Sequence, residues 1–254
     1  MNKVIIPAVF LTLVGCAVSS QGPEAPRFSK ELRHEIIQGL VGRNQGIRTL
    51  RGIGTARLGS SPFSGRSDFV LLVKKPVDLR IDSLMPTGLH GIQIALTDGW
   101  MTIHWAHENR YFQGLASPER LTRFFSLPLD ADSAVRLLSG EIPLEEEDDY
   151  SIQLKGKKIV LKGRQGDLIV TPLEGENGYL PVQYTAWDAD GSQRYLLKYD
   201  DYEKKEGRWI AKRLSGRSSH SHFEFHFREI EINPSLADAL FQLKIPDDAA
   251  PISD

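Results

Sequence analysis

The sequence has very little cysteine: among its 254 residues only Cys16 carries a thiol. One thiol cannot form an internal disulfide or a thiolate metal cluster, so any covalent role for Cys16 is a solitary one. The sequence also lacks an excess of either charge, because 31 Lys and Arg nearly balance 33 Asp and Glu. The formal charge of −2 gives no electrostatic basis for binding nucleic acid.

Catalytic signatures are also missing from the sequence. It contains no G-x-S-x-G, no Walker loop and no dinucleotide-binding glycine pattern. The glycines of LRGIGTARLG, residues 50–59, lie in a strand-like segment that opens no helix. Nothing assembles a general base, a group that orients it and an oxyanion donor. We therefore expect a protein that is not an enzyme and that uses no cofactor.

The apolar run at the amino terminus is too short to cross a membrane as a helix. It covers residues 4–14 behind Lys3, which is typical of a signal-peptide core, whereas a spanning helix needs ~20 apolar residues. The letters LVGC at residues 13–16 resemble the lipobox of bacterial lipoproteins. The resemblance implies cleavage before Cys16, a diacylglycerol on its sulfur and an acyl group such as palmitate on the new amino terminus. An ordinary signal sequence with an incidental cysteine is the alternative.

The residue after the cysteine bears on location. It is Ala17 and not aspartate, which by the sorting rule of enteric-type lipoproteins favours the outer membrane. One acyl chain anchors a protein only marginally, whereas several chains, at ~0.8 kcal/mol per buried methylene, hold it stably. The resemblance thus implies a protein anchored by lipid in the outer membrane and facing the periplasm.

The chain divides into four predicted segments. They are a lipoprotein signal peptide at residues 1–15, a lipidated flexible tether at 16–27, a folded domain at 28–245 and an acidic tail at 246–254. The tether consists mostly of small and polar residues with prolines, as expected of a flexible linker. No repeat and no internal boundary is visible within the folded domain.

Hydrophobic periodicity predicts a mainly β domain with short helices. Apolar residues recur at helical spacing over residues 28–41, and apolar and polar residues alternate in strands such as 77–82 and 101–105. Further short helices are predicted from Ser117-Pro118 onward, at residues 132–139 and at residues 235–241. We count about eleven strands, joined by short turns into one antiparallel sheet.

A long antiparallel sheet interrupted after its sixth strand by two short helices resembles the LolA/LolB family of lipoprotein carriers and receptors. Two stretches carry the resemblance. GLHGIQIALTDGWMTIHWAHENRYFQG, residues 88–114, resembles the family's hairpins with a DG turn, and LLSGEIP, residues 137–143, is similar to the WLxGxP ending of the lid in the LolB branch. Leu137 stands where that branch commonly has tryptophan, and the chain is longer than usual. With the lipobox, the LolB branch is the nearer match, since LolA is soluble.

The resemblance implies both a fold and a function. The fold is a curled, incompletely closed antiparallel β-barrel under a helical lid, whose apolar hollow accepts acyl chains. The function is that of an outer-membrane lipoprotein that receives the acyl chains of other lipoproteins from a soluble LolA-like periplasmic carrier and assists their insertion into the outer membrane. An envelope-assembly scaffold or a lipid-sensing module of the same fold, which transfers nothing, is the alternative.

Alternation along the strands and the lid selects the side chains expected to line such a hollow. From the sheet they are Leu79, Ile81, Ile94, Leu96, Ile103, Trp105, Phe223, Phe225 and Phe227. From the lid they are Leu121, Phe124 and Phe125. A core filled by its own side chains is the alternative, because protein interiors pack densely.

The turn at residues 84–91 carries apolar residues where polar ones are usual. They are Leu84, Met85 and Leu89, and the resemblance assigns Leu89 to a protruding loop that docks on the membrane. Burying one such side chain in lipid contributes about 1.5–3 kcal/mol. The alternative is that these side chains tuck under the sheet.

The sharpest chemical signal is HSHFEFHF, residues 220–227. On a strand, His220, His222, Glu224 and His226 share one face and the three phenylalanines share the other. Two histidines two residues apart can bind zinc together, so a metal-dependent hydrolase is a further alternative. The aromatic face is expected to be the inner one, which turns the histidines to water, and we predict no metal site.

Overall fold

The computed structural model describes residues 30–60, 63–85, 90–125, 129–219 and 221–252. Within these ranges it describes only the backbone of residues 60, 63, 64, 90, 123–125 and 148. The predicted signal peptide and tether lie outside the described residues. Cleavage and lipidation at Cys16 therefore stay predictions.

The described chain forms three α-helices and fourteen strands. The helices are α1 (Lys30–Arg43), α2 (Pro118–Phe125) and α3 (Ala131–Leu138). The first six strands are β1 (Thr49–Ser60), β2 (Phe63–Lys74), β3 (Asp78–Leu84), β4 (His90–Thr97), β5 (Trp100–Trp105) and β6 (Arg110–Leu115). The others are β7 (Ser151–Lys155), β8 (Lys158–Lys162), β9 (Gly166–Pro172), β10 (Tyr179–Trp187), β11 (Gln193–Lys205), β12 (Arg208–Arg217), β13 (His222–Ile232) and β14 (Ala250–Pro251). Short 3-10 helices cover Glu147–Asp149 and Asp238–Phe241.

All fourteen strands belong to one sheet, in the order β14-β6-β5-β4-β3-β2-β1-β13-β12-β11-β10-β9-β8-β7. Neighbouring strands run antiparallel, except that β14 pairs parallel with β6. The long strand β1 joins the two meanders, because it pairs with β2 on one side and with β13 on the other. β7 and β14 stand at opposite ends of the order, so the sheet curls without closing into a barrel.

The predicted fold class is confirmed, and the predicted strand count is too low. The domain is mainly β with short helices and one large unclosed sheet, but it has fourteen strands where we counted about eleven. β14 consists of two exposed residues, which give no alternation to detect. The glycines of β1 also interrupt the alternation of apolar side chains along that strand.

The helices follow from local sequence signals. α1 buries Ile36, Ile37 and Leu40 on the predicted stripe. α3 begins after Asp130, whose side chain accepts a hydrogen bond from the Ser133 N–H over 2.7 Å. The helix predicted at residues 235–241 is only the 3-10 turn Asp238–Phe241, which has no side-chain cap. No described helix is long and apolar enough to cross a bilayer.

Phenylalanine rings lie against glycines on the inner face of the sheet. A Cβ atom at Gly52 would come within 2.5 Å of the Phe227 ring, and one at Gly216 within 2.3 Å of the Phe223 ring. These glycines therefore leave the space in which the rings lie close to the backbone. The helices cover the same face in two places, since α1 packs on β10 and α3 packs on β2.

Candidate functional site

An apolar cavity of about 310 Å³ lies between the inner face of the sheet and α3. The sheet side of its wall is formed by Phe69, Ile81, Ile92, Ile94, Phe223 and Phe225, with Ala56 and Leu58 from β1. The helical side is formed by Leu129, Ala134, Leu137 and Leu138. The cavity is therefore enclosed by strands from both meanders and by the short helix that covers them.

The aromatic part of the wall follows from strict alternation on β13. Phe223, Phe225 and Phe227 are buried, whereas the residues between them are exposed or half-buried. The Phe225 ring lies 5.0 Å from the Phe69 ring at 63° and 5.4 Å from the Phe223 ring at 49°. Such edge-to-face and tilted pairs contribute about 0.5–1.5 kcal/mol each beyond area burial, so this part of the wall is held by its own contacts.

The helical side of the wall is tied to the rest of the domain by polar contacts. Asn44, just after α1, donates from Nδ2 to the Gly140 carbonyl over 2.5 Å. Lys75, in the β2–β3 turn, forms an ion pair with Glu141. Gly140 has φ 81°, a conformation that suits glycine and ends α3. These contacts hold the end of α3 in place over the cavity.

Polar groups lie at the mouth of the cavity, where strands of both meanders end. Arg66, Ser67, Ser83, His107 and His222 are the polar residues of the lining. Among them Arg66, His107 and His222 are exposed. The cavity thus offers an apolar interior and a charged or ionisable rim.

Met85, at the start of the predicted docking turn, lies at this mouth. Met85 lines the cavity and its side chain is 38% exposed. Leu84 ends β3 and is half-buried. Leu89 lies outside the described residues, so its role in membrane docking stays a prediction.

The predicted cavity residues fall into three groups. Ile81, Ile94, Phe223 and Phe225 line the cavity. Leu79, Leu96, Ile103, Trp105, Leu121 and Phe227 are not on its wall but in the packed core beside it. The side chains of Phe124 and Phe125 lie outside the described part of the chain. Alternation identifies the inner face of a strand, but it does not show how far along the strand an empty space extends.

Sequence reasoning missed Phe69, Ile92 and most of the α3 contribution. Phe69 opens the continuous apolar run FVLLV, in which both faces of β2 look alike and alternation is lost. Ala134 carries no signal because its side chain is small. The amphipathic pattern of α3, with Leu137 and Leu138 at its end, is the signal that points to the cavity.

Glu224 and His226 lie on the outer face of β13, as the aromatic pattern predicts, whereas the exposed His222 at the start of the strand lines the mouth of the cavity. The Glu224 carboxylate lies 4.0 Å from Arg57 Nη1 and 3.8 Å from Arg213 Nε. His226 Nε2 lies 3.4 Å from the Asp201 carboxylate. Among the described residues no group of three or more His, Cys, Asp or Glu is placed to hold a metal ion. His220 lies outside those residues. The groups nearest to the Glu224 carboxylate are the cationic side chains of Arg57 and Arg213, which do not bind metal ions.

This chain is similar to known proteins in fold but not detectably in sequence. No protein-family model and no curated protein matches this sequence. A domain from Vibrio parahaemolyticus, proposed to be an outer membrane lipoprotein-sorting protein, is 12% identical, with a TM-score of 0.52 over 84% of this chain and 97% of that chain. A DUF1329 family protein from Desulfovibrio piger is 13% identical, with a TM-score of 0.52 over 86% and 98%. A LolA superfamily protein from Nitrosomonas europaea is 12% identical, with a TM-score of 0.50 over 82% and 97%.

These similarities span nearly the whole length of each compared structure, and they show that this chain has a LolA-like fold. The fold expected from residues 88–114 and 137–143 is thereby confirmed. The comparisons do not single out the LolB branch.

Proposed function

We propose that this chain is a lipid-anchored envelope protein that binds the acyl chains of lipoproteins and assists their insertion into the outer membrane. The observation that carries the proposal is the cavity of about 310 Å³ under α3. The names of two similar structures, an outer membrane lipoprotein-sorting domain and a LolA superfamily protein, support it.

The chemistry of the cavity favours a ligand with a long apolar body and a polar end. Ligand pockets of about 300–1,000 Å³ accommodate small molecules, and this cavity lies within that range. Each methylene that leaves water for the apolar interior contributes about 0.8 kcal/mol. The polar end would stay at the mouth, where Arg66, His107 and His222 lie. An acyl chain has this distribution of polarity.

The proposal also includes attachment of the protein to the membrane by lipid and docking of the cavity mouth on the membrane surface. The letters LVGC at residues 13–16 support lipidation of Cys16, which keeps the domain near the membrane. The exposed Met85 at the cavity mouth supports docking of this end of the sheet on lipid, together with Leu84 and Leu89. The acyl chain then passes from a LolA-like carrier to this cavity and on to the bilayer. No cofactor is needed, because about 1.4 kcal/mol between successive sites already gives a tenfold preference.

One observation favours a second candidate, a scaffold or lipid sensor that holds its ligand and transfers nothing. The contacts of Asn44 with Gly140 and of Lys75 with Glu141 fix the end of α3 over the cavity. Depletion of the protein in cells separates the two candidates. Loss of a receptor leaves lipoproteins in the periplasm or the inner membrane, whereas loss of a scaffold does not.

Filling the cavity tests acyl-chain binding directly. Ile94→Trp adds volume on the cavity wall, and Ile152→Trp adds the same volume at a half-buried position of β7 away from the cavity. We expect Ile94→Trp to weaken binding of a fluorescent fatty acid at least about tenfold, and Ile152→Trp to change it less than about threefold. Native mass spectrometry of the purified protein shows whether lipid is retained. Equal affinity of both variants, with no lipid retained by either, contradicts the proposal.

A further inference from the structure

The two ends of the sheet differ in how their edge strands are paired. At one end β14 covers β6, since the Ala250 N–H donates to the Asn109 carbonyl over 2.9 Å and the Ile252 N–H donates to the Tyr111 carbonyl over 2.7 Å. At the other end β7 pairs with β8 alone among the described strands. A strand edge without a partner presents free N–H and C=O groups. We call the free side of β7 the open edge.

The register of β7 on β8 shows which backbone groups are free. Lys155 faces Lys158 across a two-residue turn that starts at Gly156, whose φ is 63°. In such a hairpin this pair is hydrogen-bonded, and bonded and non-bonded pairs then alternate along the strands. Leu154 therefore directs its N–H and C=O away from β8. Its side chain is 55% exposed beside the open edge.

The hairpin and its flanks carry charge of one sign. Residues 150–166 include five basic residues and no acidic one, in a chain whose formal charge is −2. The five are Lys155, Lys157, Lys158, Lys162 and Arg164. Arg164 pairs with Asp149, whereas the four lysines are exposed and form no ion pair with any other described residue. Asp167 faces Lys162 in the β8–β9 register, whereas Lys155 faces Lys158, so the positive charge without a facing carboxylate belongs to Lys155, Lys157 and Lys158.

A groove of about 440 Å³ adjoins the open edge on the outer face of the sheet. Its wall is mixed: Val160, Ile169 and Trp187 contribute apolar surface. The polar groups of the wall come from Gln153, Lys155, Lys162, Asp167, Gln183, Thr185 and Gln193. Lysine on an edge strand by itself discourages pairing with other strands. That role explains the charge, but it does not account for a leucine that is 55% exposed at the same edge.

We propose that the open edge docks an extended acidic segment of a partner protein, which joins the sheet as an additional strand. Because alternate residues of a strand share a face, acidic side chains on one face meet Lys155 while apolar side chains on the other pack on Leu154. A membrane surface has no backbone to satisfy the free groups of Leu154. A second copy of the chain would bring lysine against lysine. The matching segment alternates acidic and apolar residues.

Fluorescence anisotropy of a labelled, end-capped (Glu-Val)₄ peptide with the full-length protein tests the proposal. We expect saturable binding that weakens at raised salt, and binding of a (Lys-Val)₄ peptide at least about tenfold weaker. We also expect the Leu154 amide to become protected from hydrogen exchange when the acidic peptide is added. Absence of saturable binding by the acidic peptide overturns the proposal.

Two pairs of variants separate strand addition from simple charge attraction. Leu154→Pro removes the outward N–H, which an edge strand tolerates, whereas Leu154→Ala keeps it. Lys155→Glu reverses charge at the open edge, and Lys244→Glu makes the same change at an exposed lysine outside the hairpin. We expect Leu154→Pro and Lys155→Glu each to weaken peptide binding at least about tenfold, and their controls to change it less than about threefold.

The other occupants of this surface are distinct outcomes that would each overturn the proposal. Equal binding by Leu154→Pro and Leu154→Ala would show surface charge without strand addition. Binding to anionic phospholipid vesicles that Lys155→Glu abolishes, without peptide binding, would assign the lysines to a membrane. A dimer in sedimentation that Leu154→Pro dissociates would assign the edge to a second copy. If Leu154→Pro does not fold, the proposal is tested by the other two measurements. It is overturned if Lys155→Glu binds the acidic peptide as the unmodified protein does, or if the peptide does not protect the Leu154 amide from hydrogen exchange.

Discussion

The meander of β1 to β6, together with the adjoining β13, borders an empty space under α3, whereas the rest of the second meander, β7 to β12, is filled. Tyr150, Tyr184, Tyr195 and Tyr199 are all buried in the second meander, and the rings of Tyr184 and Tyr195 lie 6.1 Å apart. Beside Tyr199 only about 20 Å³ remains, which is room for about one water molecule. The same alternation of inward side chains therefore produces a cavity in one meander and a packed core in the other.

The covering helices account for part of this difference. The fourteen-residue α1 packs on β10 of the second meander, and it buries Ile36, Ile37 and Leu40. The first meander is covered by the eight-residue α3, which presents Ala134 and two leucines to the cavity. A short helix with one small side chain at the contact fills less volume than a long helix with three branched ones.

Truncation of one leucine in each meander gives the largest effect expected of a single substitution. Leu197 is 0% exposed in the filled meander, and Leu137 is 4% exposed but lines the cavity. Leu197→Ala should lower the free energy of unfolding by about 3–4 kcal/mol, and Leu137→Ala by about 1–2 kcal/mol, because Leu137 already lacks contacts on one side. Urea unfolding of both variants measures this. Equal losses would mean that the cavity wall is packed as tightly as the filled core.

Alkaline pH should weaken the filled meander. Burial raises the pKa of the Tyr150 and Tyr202 hydroxyls from 10.0 to about 12. These groups ionise more easily in the unfolded chain, so their contribution to stability is complete below pH 10 and is lost as pH rises towards about 12. The free energy of unfolding should fall by roughly 1 kcal/mol per pH unit and per tyrosine across this window.

Urea unfolding at several pH values, with tyrosinate absorbance followed in the same samples, checks the pH dependence. Ionisation of Tyr150 or Tyr202 near pH 10 in the folded protein, measured as the difference in tyrosinate absorbance from the Tyr150→Phe or Tyr202→Phe variant, would contradict burial as the cause of the raised pKa. A free energy of unfolding that does not change between pH 10 and about pH 12 would also contradict burial of these hydroxyls.

Removal of the Glu145 carboxylate, which binds the backbone of the β8–β9 turn, should give the smallest of the three effects on the free energy of unfolding. Glu145 accepts hydrogen bonds from the N–H groups of Arg164, Gln165 and Gly166 over 3.0, 2.8 and 2.9 Å. Glu145→Ala should lower the free energy of unfolding by about 1–2 kcal/mol, because it leaves these donors without their acceptor. Glu147, whose carboxylate meets the exposed His34, is the matched control. Glu147→Ala should change stability by less than about 0.5 kcal/mol in the same measurement.

The result for Glu145 also bears on how the acidic stretch at residues 145–149 is understood. The sequence predicts a solvated loop there, because a run of like charges usually faces water. In the structure its residues bind α1 and the β8–β9 turn. A loss for Glu145→Ala no larger than that for Glu147→Ala would restore the interpretation as a solvated loop.

The fold was more predictable than the site. The strands β3 to β6, the two short helices and the inner phenylalanines of β13 all follow from local periodicity, which depends on neighbours two to four residues apart. The cavity wall depends on residues far apart in the chain, such as Phe69, Ile94 and Leu137. Ile81 and Ile94 were found because they alternate, and Leu79 and Leu96 were placed on the wall for the same reason although they lie in the packed core.

The sequence by itself determined the mainly β fold class, the buried apolar positions of α1, the amphipathic α3 and the face of β13 that turns inward, because side-chain periodicity is a local property of the backbone. Only the tertiary structure decided which inward side chains border empty space, that β14 covers one end of the sheet, and that β7 has no second partner among the described strands. Those features depend on the volume left between elements and on which strand comes last, and both are set by contacts between residues that are distant in sequence.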